Sequence, residues 1–453
     1  MIQINAARVP SFSAGRVSIP PEIFARYAQM HVPRYTSYPT APHFTAAIDH
    51  AEYRKWLRSA GDGPISIYLH IPFCREMCWY CGCHTTVTRR QAPVSRYAST
   101  LIEEIGLVAS ALDQRLRAGH IHWGGGSPTL LTPADVGRIH AALKDVFTLD
   151  PLSENAVEID PRTLTPQLAS AFVRAGVNRA SLGVQSFDPK VQVAINRVQG
   201  FERTAEAVRT LRDSGIPAIN FDLVYGLPFQ SVQSCVDSVE QSLRLQPDRF
   251  AVFGYAHVPW FKPHQRKIDE SALPGPSERS EQADAIARAL TGRGYRQIGL
   301  DHFALPGDSL ALASDAGTLR RNFQGYTTDS CSALLGFGAS AIGRLEQGFV
   351  QNSTRIPEYE RRIQDGRLAT VRGCRIGEED NRRAAIIEQL MCNYRARIGS
   401  VDADLDQFVR DGMIRRSGDW IEVIDEARPL VRTVAAAFDA YLPNSTAAHA
   451  AAV

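Results

Sequence analysis

The sequence predicts an α/β protein whose core is a TIM-like barrel of six β-then-α units, and three observations predict it. Between residues 65 and 256, short β-rich runs alternate with amphipathic helical stretches, which implies parallel strands joined by helices that cover one side of a sheet. Within the runs polar and apolar residues alternate, so each strand carries a polar face. An open doubly wound sheet, buried on both sides, reads as continuous apolar text instead. The residues with chemistry (Cys74, the glycines after Trp123, Asp160, Gln185 and Asp222) fall at the C-terminal ends of the runs, where such barrels keep their active sites.

Residues 1–62 include the text PRYTSYPTAPHF and carry no sustained period, so they read as an ordered arm anchored by Tyr35, Tyr38 and Phe44. The barrel occupies 63–300, with strands at ISIYLHI (65–71), HIHWG (120–124), AVEID (156–160), RASLGVQ (179–185), AINFDLV (218–224) and RFAVFGYA (249–256). Tyr97, Leu101, Ile105, Val108 and Leu112 recur at helical spacing after the first run; Ala205, Val208 and Leu211 do so before Gly215, a helix stop. Tyr68 and His70 share one strand face, Glu158 and Asp160 another, and Asn220 and Asp222 a third.

A Pro-rich stretch leads to a helix near 278–291 and a strand at 295–300; a connection over 301–377 then covers the barrel and contains GYTTDSCSALLGFGASAIG. Residues 378–443 read as helix (381–397), helix (402–411), a hairpin turning at Ser417 and Gly418, and helix (426–441), a mostly helical, winged-helix-like domain. Asp402, Asp404, Asp406 and Asp411 cluster on the would-be recognition helix and repel phosphates, which favours a lid or docking module over DNA binding. Residues 444–453 read as a disordered tail.

The 453 residues are 44% hydrophobic and 22% charged, a globular composition that excludes a wholly disordered chain, a collagen-like repeat or a coiled-coil rod. Fifty Lys and Arg against 48 Asp and Glu give a net charge of +2, which points to neither nucleic acid nor an anionic membrane. No run of about 18 apolar residues is present and the N-terminal text lacks a signal peptide's apolar centre, so the expectation is no membrane span and a cytoplasmic location.

Four of the eight cysteines, Cys74, Cys78, Cys81 and Cys83, lie together, while Cys235, Cys331, Cys374 and Cys392 are scattered. In a reducing compartment such a group reads as a metal or redox site. Cys74, Cys78 and Cys81 offer three thiolates from one loop after the first strand, one short of a closed four-thiolate site. A four-iron four-sulfur cluster so held keeps one iron open for the amine and carboxylate of S-adenosylmethionine (SAM), and this spacing is the signature of enzymes that use SAM in that way. The competing reading is a zinc site completed by Cys83 or His84. Cys83 itself reads as a neighbour of the cluster.

Supporting groups lie where a SAM site needs them. Gly124, Gly125 and Gly126 bring bare backbone to the end of the second strand. Glu158 and Asp222 suit ribose hydroxyls, unless they pair internally with Arg179 or Arg197. Gln185 and Arg197 offer donors, and Arg197 suits a carboxylate. Tyr68 and His70 are the residues expected to act in the lumen, His70 as a proton donor.

The motifs IYLHIPFCREMCWYCGC, HWGGGSPT, VEIDPR, SLGVQSF, INRVQ, FDLVYGLP, YAHVPWFKP, RNFQGYTT and LLGFGASAI resemble the oxygen-independent coproporphyrinogen III oxidase family of radical SAM enzymes, from about Pro33 onwards. The resemblance implies an incomplete (β/α)6 barrel, a cluster on Cys74, Cys78 and Cys81, and two SAM molecules. It implies that Tyr68, Tyr80, Gly125, Gly126, Ser127, Glu158, Gln185, Arg197, Asp222, Ala256 and Ile342 line the SAM sites, Ile342 from the Gly-rich connection. Ser127 replaces the family's usual Thr and keeps the hydroxyl, and the C-terminal unit reads as shorter than usual. The implied reaction is oxidative decarboxylation of two propionates of coproporphyrinogen III to vinyl groups, giving protoporphyrinogen IX in haem biosynthesis. It needs a low-potential electron donor, an electron acceptor and cations for four propionates, for which Arg34, Lys262 and Arg266 are candidates; the chain is expected to be a monomer. The alternatives are the related haem-binding chaperone, which typically lacks the PRYTSYPT arm and the cysteine at Cys83, and a haem-degrading radical SAM methyltransferase.

Overall fold

The computed structural model describes residues 19–442; the tail expected over 444–453 and residues 1–18 of the arm lie outside the described residues. The arm is more regular than its sequence promised. Helix α1 (Pro21–Ala28) opens on a proline, whose missing N–H would be unpaired there anyway. Helix α2 (His50–Arg58) is capped by Asp49, which accepts from the amides of Ala51 and Glu52. Both are too short for an apolar period to stand out. The expected anchors are buried: Tyr35 and Tyr38 in the C-terminal core, and Phe44 stacked on Phe349 with ring centroids 5.7 Å apart.

Six parallel strands follow: β1 (Ile65–Ile71), β2 (Arg117–Gly125), β3 (Thr148–Ile159), β4 (Arg179–Gln185), β5 (Ala218–Tyr225) and β6 (Arg249–Gly254). They lie side by side in chain order. Crossovers between parallel strands are right-handed, so an order that never reverses sends every helix to the same face. Helices α3 (Ala92–Ala109), α4 (Pro133–Val146), α5 (Pro166–Arg174), α6 (Pro189–Ala194), α7 (Phe201–Ser214), α8 (Val232–Leu243) and α9 (Pro276–Gly292) make that outer layer. Ile67, Leu69 and Ile71 of β1 pack outward in one core with Tyr97, Leu101, Ile105 and Val108 of α3. The opposite, polar face is left to curl into a lumen.

The sheet stays open. Past β6 it continues antiparallel through β7 (Arg296–Ile298) and β8 (His302–Ala304), with β8 next to β6. At the other end β9 (Ala333–Phe337) pairs parallel with β1, and β10 (Ile342–Leu345), β11 (Gly348–Asn352) and β12 (Thr370–Arg375) follow antiparallel. The Gly-rich text therefore supplies strand β9, a seventh parallel strand, and Gly336 stands in register with Tyr68.

An ionic floor closes the N-terminal end of the lumen. Glu154 accepts from Arg179 at 2.9 Å and Arg249 at 3.4 Å, and Arg249 also reaches Asp308 at 2.6 Å, just before α10 (Ser309–Asp315). Against burial, which raises it, His120, Arg249 and Arg179 hold the Glu154 carboxyl well below the usual range. A second tie joins α3 to α11 (Ile356–Gln364): buried Glu104 accepts from the Gly338 amide, Tyr359 Oη and Asn352 Nδ2 at 2.6, 2.8 and 2.6 Å.

The C-terminal unit contains α12 (Glu378–Asn393), a three-stranded sheet of β13 (Arg395–Arg397), β14 (Ile414–Ser417) and β15 (Trp420–Val423), and the short α13 (Asp406–Arg410) and α14 (Val431–Ala436). Three expectations change. The helix expected over 381–397 ends at Asn393, where Tyr394 turns left-handed, and Arg395–Arg397 is strand β13 instead. The helix expected over 402–411 covers only 406–410, and Asp411 is taken by Tyr27, 2.7 Å away, and Arg26. The helix expected over 426–441 starts as a 3-10 turn at Asp425–Leu430 containing Pro429 and is α-helical only over Val431–Ala436, because proline lacks the N–H that an α-helical interior needs. No helix among the described residues is long and apolar enough to cross a membrane.

Candidate active site

The C-terminal ends of β1 to β6 face the loop that carries the thiols. Cys74 ends a two-residue strand, Phe73–Cys74, paired with Thr86–Val87, which folds the intervening loop back on itself. Other elements pin that loop through its own backbone: Asn196 Nδ2 donates to the Met77 carbonyl at 2.9 Å, the Trp79 amide to Ile195 at 2.9 Å, and Gln265 Nε2 to Tyr80 at 3.0 Å. His264 Nε2 donates to the Cys81 carbonyl at 2.7 Å. Trp79 and Tyr80 also pack on the apolar cluster of Val191, Ile195, Val224, Leu227, Tyr255 and Ile268.

None of the eight cysteines is in a disulfide. The three expected ligands receive hydrogen bonds at sulfur: Thr85 Oγ1 on Cys74 at 3.2 Å, the Cys83 amide on Cys81 at 3.3 Å, and Arg197 and Arg162 on Cys78 at 3.6 and 3.9 Å. Donors at sulfur suit a site that gathers negative charge on thiolates and sulfides. Asp160 anchors both cations. It binds Arg162 through two N–H groups, at 3.0 and 2.7 Å, and lies 3.7 Å from Arg197. Against burial, which raises it, Arg197 and Arg162 hold Asp160 down at about 2.

A four-iron cluster fits these residues by their chemistry: three thiols from one loop, each receiving a donor at sulfur, supply three ligands and leave one iron for another group. His84, a fourth ligand in the zinc reading, is turned away onto the Thr354 carbonyl, 2.5 Å from Nε2. Two buried polar atoms, one on Arg197 (Nε), which reaches Cys78, and one on Gln199 (Oε1), which reaches the Gly183 carbonyl through Nε2, have no partner, as expected where a polar ligand belongs.

Gly125 and Gly126 follow β2 in tight contact with β1. At φ +121°, Gly125 has a conformation that side chains disfavour, and a Cβ there would lie 2.8 Å from the Ile71 nitrogen. A Cβ on Gly126 would lie 2.7 Å from the Phe73 carbonyl oxygen. Glu158 on β3 does not pair with an arginine: Oε1 faces His122 Nε2 at 3.1 Å and Oε2 accepts the Gly125 amide at 3.1 Å. Arg179 is engaged in the ionic floor. Asp222 is also without a cation; it accepts from Ser181 Oγ at 3.0 Å and Asn220 Nδ2 at 2.8 Å, and burial together with Glu158 raises it to about 7.

Tyr68 Oη donates to His70 Nδ1 at 2.9 Å, and His70 Nε2–H donates to the His84 carbonyl at 3.0 Å. These bonds fix the tautomer with the proton on Nε2, and burial lowers His70 to about 4. His70 is therefore a neutral imidazole with its N–H engaged, and the expectation that it donates a proton does not match this geometry. Gln185 ends β4 at φ +69°, just past a register shift, and Arg197 donates to the Gly183 carbonyl at 2.6 Å. Buried Ser127 pairs its hydroxyl with Thr129 at 2.6 Å. Ala256 shares Gln265 with Tyr80, its carbonyl 3.2 Å from Nε2. Ile342 crosses beside Gly336, the partner of Tyr68, close enough that a Cβ on Gly336 would lie 2.5 Å from the Ile342 carbonyl oxygen.

Contacts thus join several of the expected residues: Tyr68 to His70, Gly125 to Glu158, Arg197 to Cys78, and Ala256 to Tyr80 through Gln265. Sequence reading missed Arg162, Gln199 and Gln265. Arg162 stood in the quoted VEIDPR text, where an arginine two residues after an acid on a strand end was the available signal.

A model of the radical SAM superfamily matches residues 68–241. An oxygen-independent coproporphyrinogen III oxidase of Bradyrhizobium diazoefficiens is 52% identical over 447 residues, covering 95% of this chain and 99% of the relative. One of Paracoccus denitrificans is 42% identical over 444 residues, covering 93% and 96%. The solved structure of coproporphyrinogen III oxidase from Escherichia coli, a radical SAM enzyme, superposes with a TM-score of 0.85 at 34% identity, covering 91% of this chain and all of that one.

Proposed function

The chain belongs to the oxygen-independent coproporphyrinogen III oxidase family of radical SAM enzymes, and on that premise we propose that its lumen mouth converts two propionates of coproporphyrinogen III to the vinyl groups of protoporphyrinogen IX. The observation that carries this reading is the three-thiol loop, set by its backbone pins against Gly125, Gly126 and the Arg197–Asp160 pair. Cys74, Cys78 and Cys81 would hold the four-iron cluster, and SAM would complete it. When bound, these groups supply a 5′-deoxyadenosyl radical that removes a hydrogen atom from a propionate β-carbon before carbon dioxide leaves.

The residues bind, orient and exclude water. Gly125 and Gly126 let the end of β2 close onto Ile71 and Phe73, which sets Glu158 and the thiol loop side by side, and Arg197 offers its unpartnered Nε–H to a carboxylate. Glu158 and Asp222 offer acceptor oxygens to ribose hydroxyls, held in place by His122 and by Ser181 and Asn220. Tyr68, fixed by neutral His70, presents its ring at the lumen wall beside His122, with centroids 5.8 Å apart. Tyr80, Gln185, Ser127, Ala256 and Ile342 complete the walls of two SAM sites. The apolar cluster under Trp79 and Tyr80 holds the thiol loop in place, with Cys78 buried. The reaction calls for a low-potential electron donor and an electron acceptor, and the reading takes the chain as a cytoplasmic monomer that binds no nucleic acid.

Anaerobic reconstitution followed by mass spectrometry of the tetrapyrrole tests this. Vinyl product with two SAM consumed per molecule is the expected result. Retention of haem without turnover, or a methylated ring-opened product, overturns it in favour of the chaperone or the methyltransferase.

A further inference from the structure

Beside the lumen mouth, above the ends of β5 and β6, lies a cavity of about 610 Å³ walled by the barrel rim, α9, the arm and the C-terminal unit. Its lining holds five arginines and three aspartates. Asp425 is paired with Arg428 at 2.7 Å, and Asp301 with His302 at 2.7 Å and more distantly with Arg321. That leaves an excess of guanidinium. Among the described residues Arg34 and Arg279 have no carboxylate partner and donate only to backbone, to Gly254 at 3.0 Å and Tyr255 at 2.8 Å. Arg321, its side chain 5% exposed, has both Nε and one terminal nitrogen buried without a partner.

The cavity is built for these cations. Gly226, at φ +79°, and Gly254 stand where a Cβ would lie 2.9 and 3.3 Å from the Arg279 guanidinium, so both glycines make room for it. Burial and the neighbouring Arg34 pull Arg279 down, and they lower Arg432 to about 10. A chain that keeps like charges together in a half-buried cavity gains nothing for stability from them, but anionic ligands repay that cost with charge-assisted, bidentate hydrogen bonds. At the rim Trp260 is 61% exposed, an aromatic face beside a cationic floor. Ala256, at the end of β6, lines the same cavity and is tied through Gln265 to the thiol loop.

We propose that this arginine cavity holds propionate carboxylates of the tetrapyrrole through Arg34, Arg279 and Arg321, with Trp260 packed against the macrocycle at its lip. The assignment rests on the reading of the lumen mouth as a coproporphyrinogen oxidase. Two of the four propionates survive the reaction, and they are the ones that an anchor outside the lumen can hold through both decarboxylations. Lys262 and Arg266, the other cations expected for this role, do not line the cavity; Lys262 is occupied by the Cys83 carbonyl at 3.1 Å.

The test uses the full-length, anaerobically reconstituted chain and coproporphyrin III, the stable oxidised form of the ring, followed by its absorbance and fluorescence on binding. Arg279→Gln and Arg34→Gln each weaken binding about tenfold or more, the scale of a lost charge-assisted hydrogen bond. Coproporphyrin tetramethyl ester binds weakly and equally to wild type and variants, a pattern that a merely structural role does not give. Arg34 is exposed on the arm, so its variant still reports if Arg279→Gln misfolds. If wild type turns over coproporphyrinogen III but both variants bind the free acid as it does, the cavity assignment is wrong. If wild type neither binds nor converts the tetrapyrrole, the proposed function fails and the assignment falls with it.

Discussion

The Arg197 guanidinium donates to Cys78 Sγ at 3.6 Å and to the Gly183 carbonyl at 2.6 Å, so one side chain ties the thiol loop to the end of β4. A lysine cannot span both acceptors and Asp160 with a planar fork. Arg197→Lys is expected to weaken SAM binding about tenfold while the iron content stays that of wild type; equilibrium binding with iron analysis checks it, and unchanged affinity would show that the fork is dispensable.

Replacing a cluster thiol is more severe. Cys78→Ser is expected to abolish the brown colour and turnover together, because the sulfur that receives both Arg197 and Arg162 is gone. Iron and sulfide analysis after anaerobic reconstitution measures this, and a fully loaded cluster in the variant would overturn the ligand assignment.

Gly125→Ala puts a Cβ 2.8 Å from the Ile71 nitrogen at φ +121°. The contact is with backbone, so β1 and β2 must separate at their ends. SAM affinity is expected to fall at least about tenfold, with strain of roughly 1–3 kcal/mol appearing as a lower Tm. Calorimetric titration and melting curves read the two effects separately.

Glu104 gives a pH signature. Burial raises it from 4.5 to about 7 against three hydrogen bonds. The folded state therefore holds a proton that the unfolded chain loses earlier. Its contribution to stability is complete below pH 4.5 and is lost as pH rises through about 7. The shift corresponds to about 3 kcal/mol. Between about pH 5 and pH 8 the wild type is expected to lose more urea resistance than Glu104→Gln, which cannot titrate; parallel pH profiles for the two proteins would rule this out.

Trp123 is fully buried on β2 and donates Nε1–H to Asn155 Oδ1 at 3.2 Å. Trp123→Phe leaves that acceptor unpaired in the core and opens a small void. The expected loss is about 2–4 kcal/mol, seen as a lower urea midpoint with an unchanged slope.

How far the sequence could be read followed how each residue acts. β1 and β4 have the expected limits because Ile67, Leu69 and Ile71, or Leu182 and Val184, alternate cleanly with lumen residues. β3 begins at Thr148 rather than 156, since TLDPLSEN pairs with β2 through an irregular register and has no alternation to read. α1 and α2 were missed for their brevity, although Asp49 was a visible cap. The thiol loop was legible because its ligands are local in sequence. The cationic cavity was not: Arg34, Arg279 and Arg321 come from the arm, α9 and the connection after β8, and only the fold brings them together.

The pairing of β9 with β1 has a consequence for biosynthesis. Ile65 finds its partner in Ala333, far along the chain. While the ribosome is still delivering the six βα units, the strand leading to Cys74 keeps one raw edge, an invitation to pair with the wrong chain. The enclosure around the thiols is finished only once the segment that carries Ala333 has emerged, so until then the strand that leads to them depends on β2 alone for its pairing.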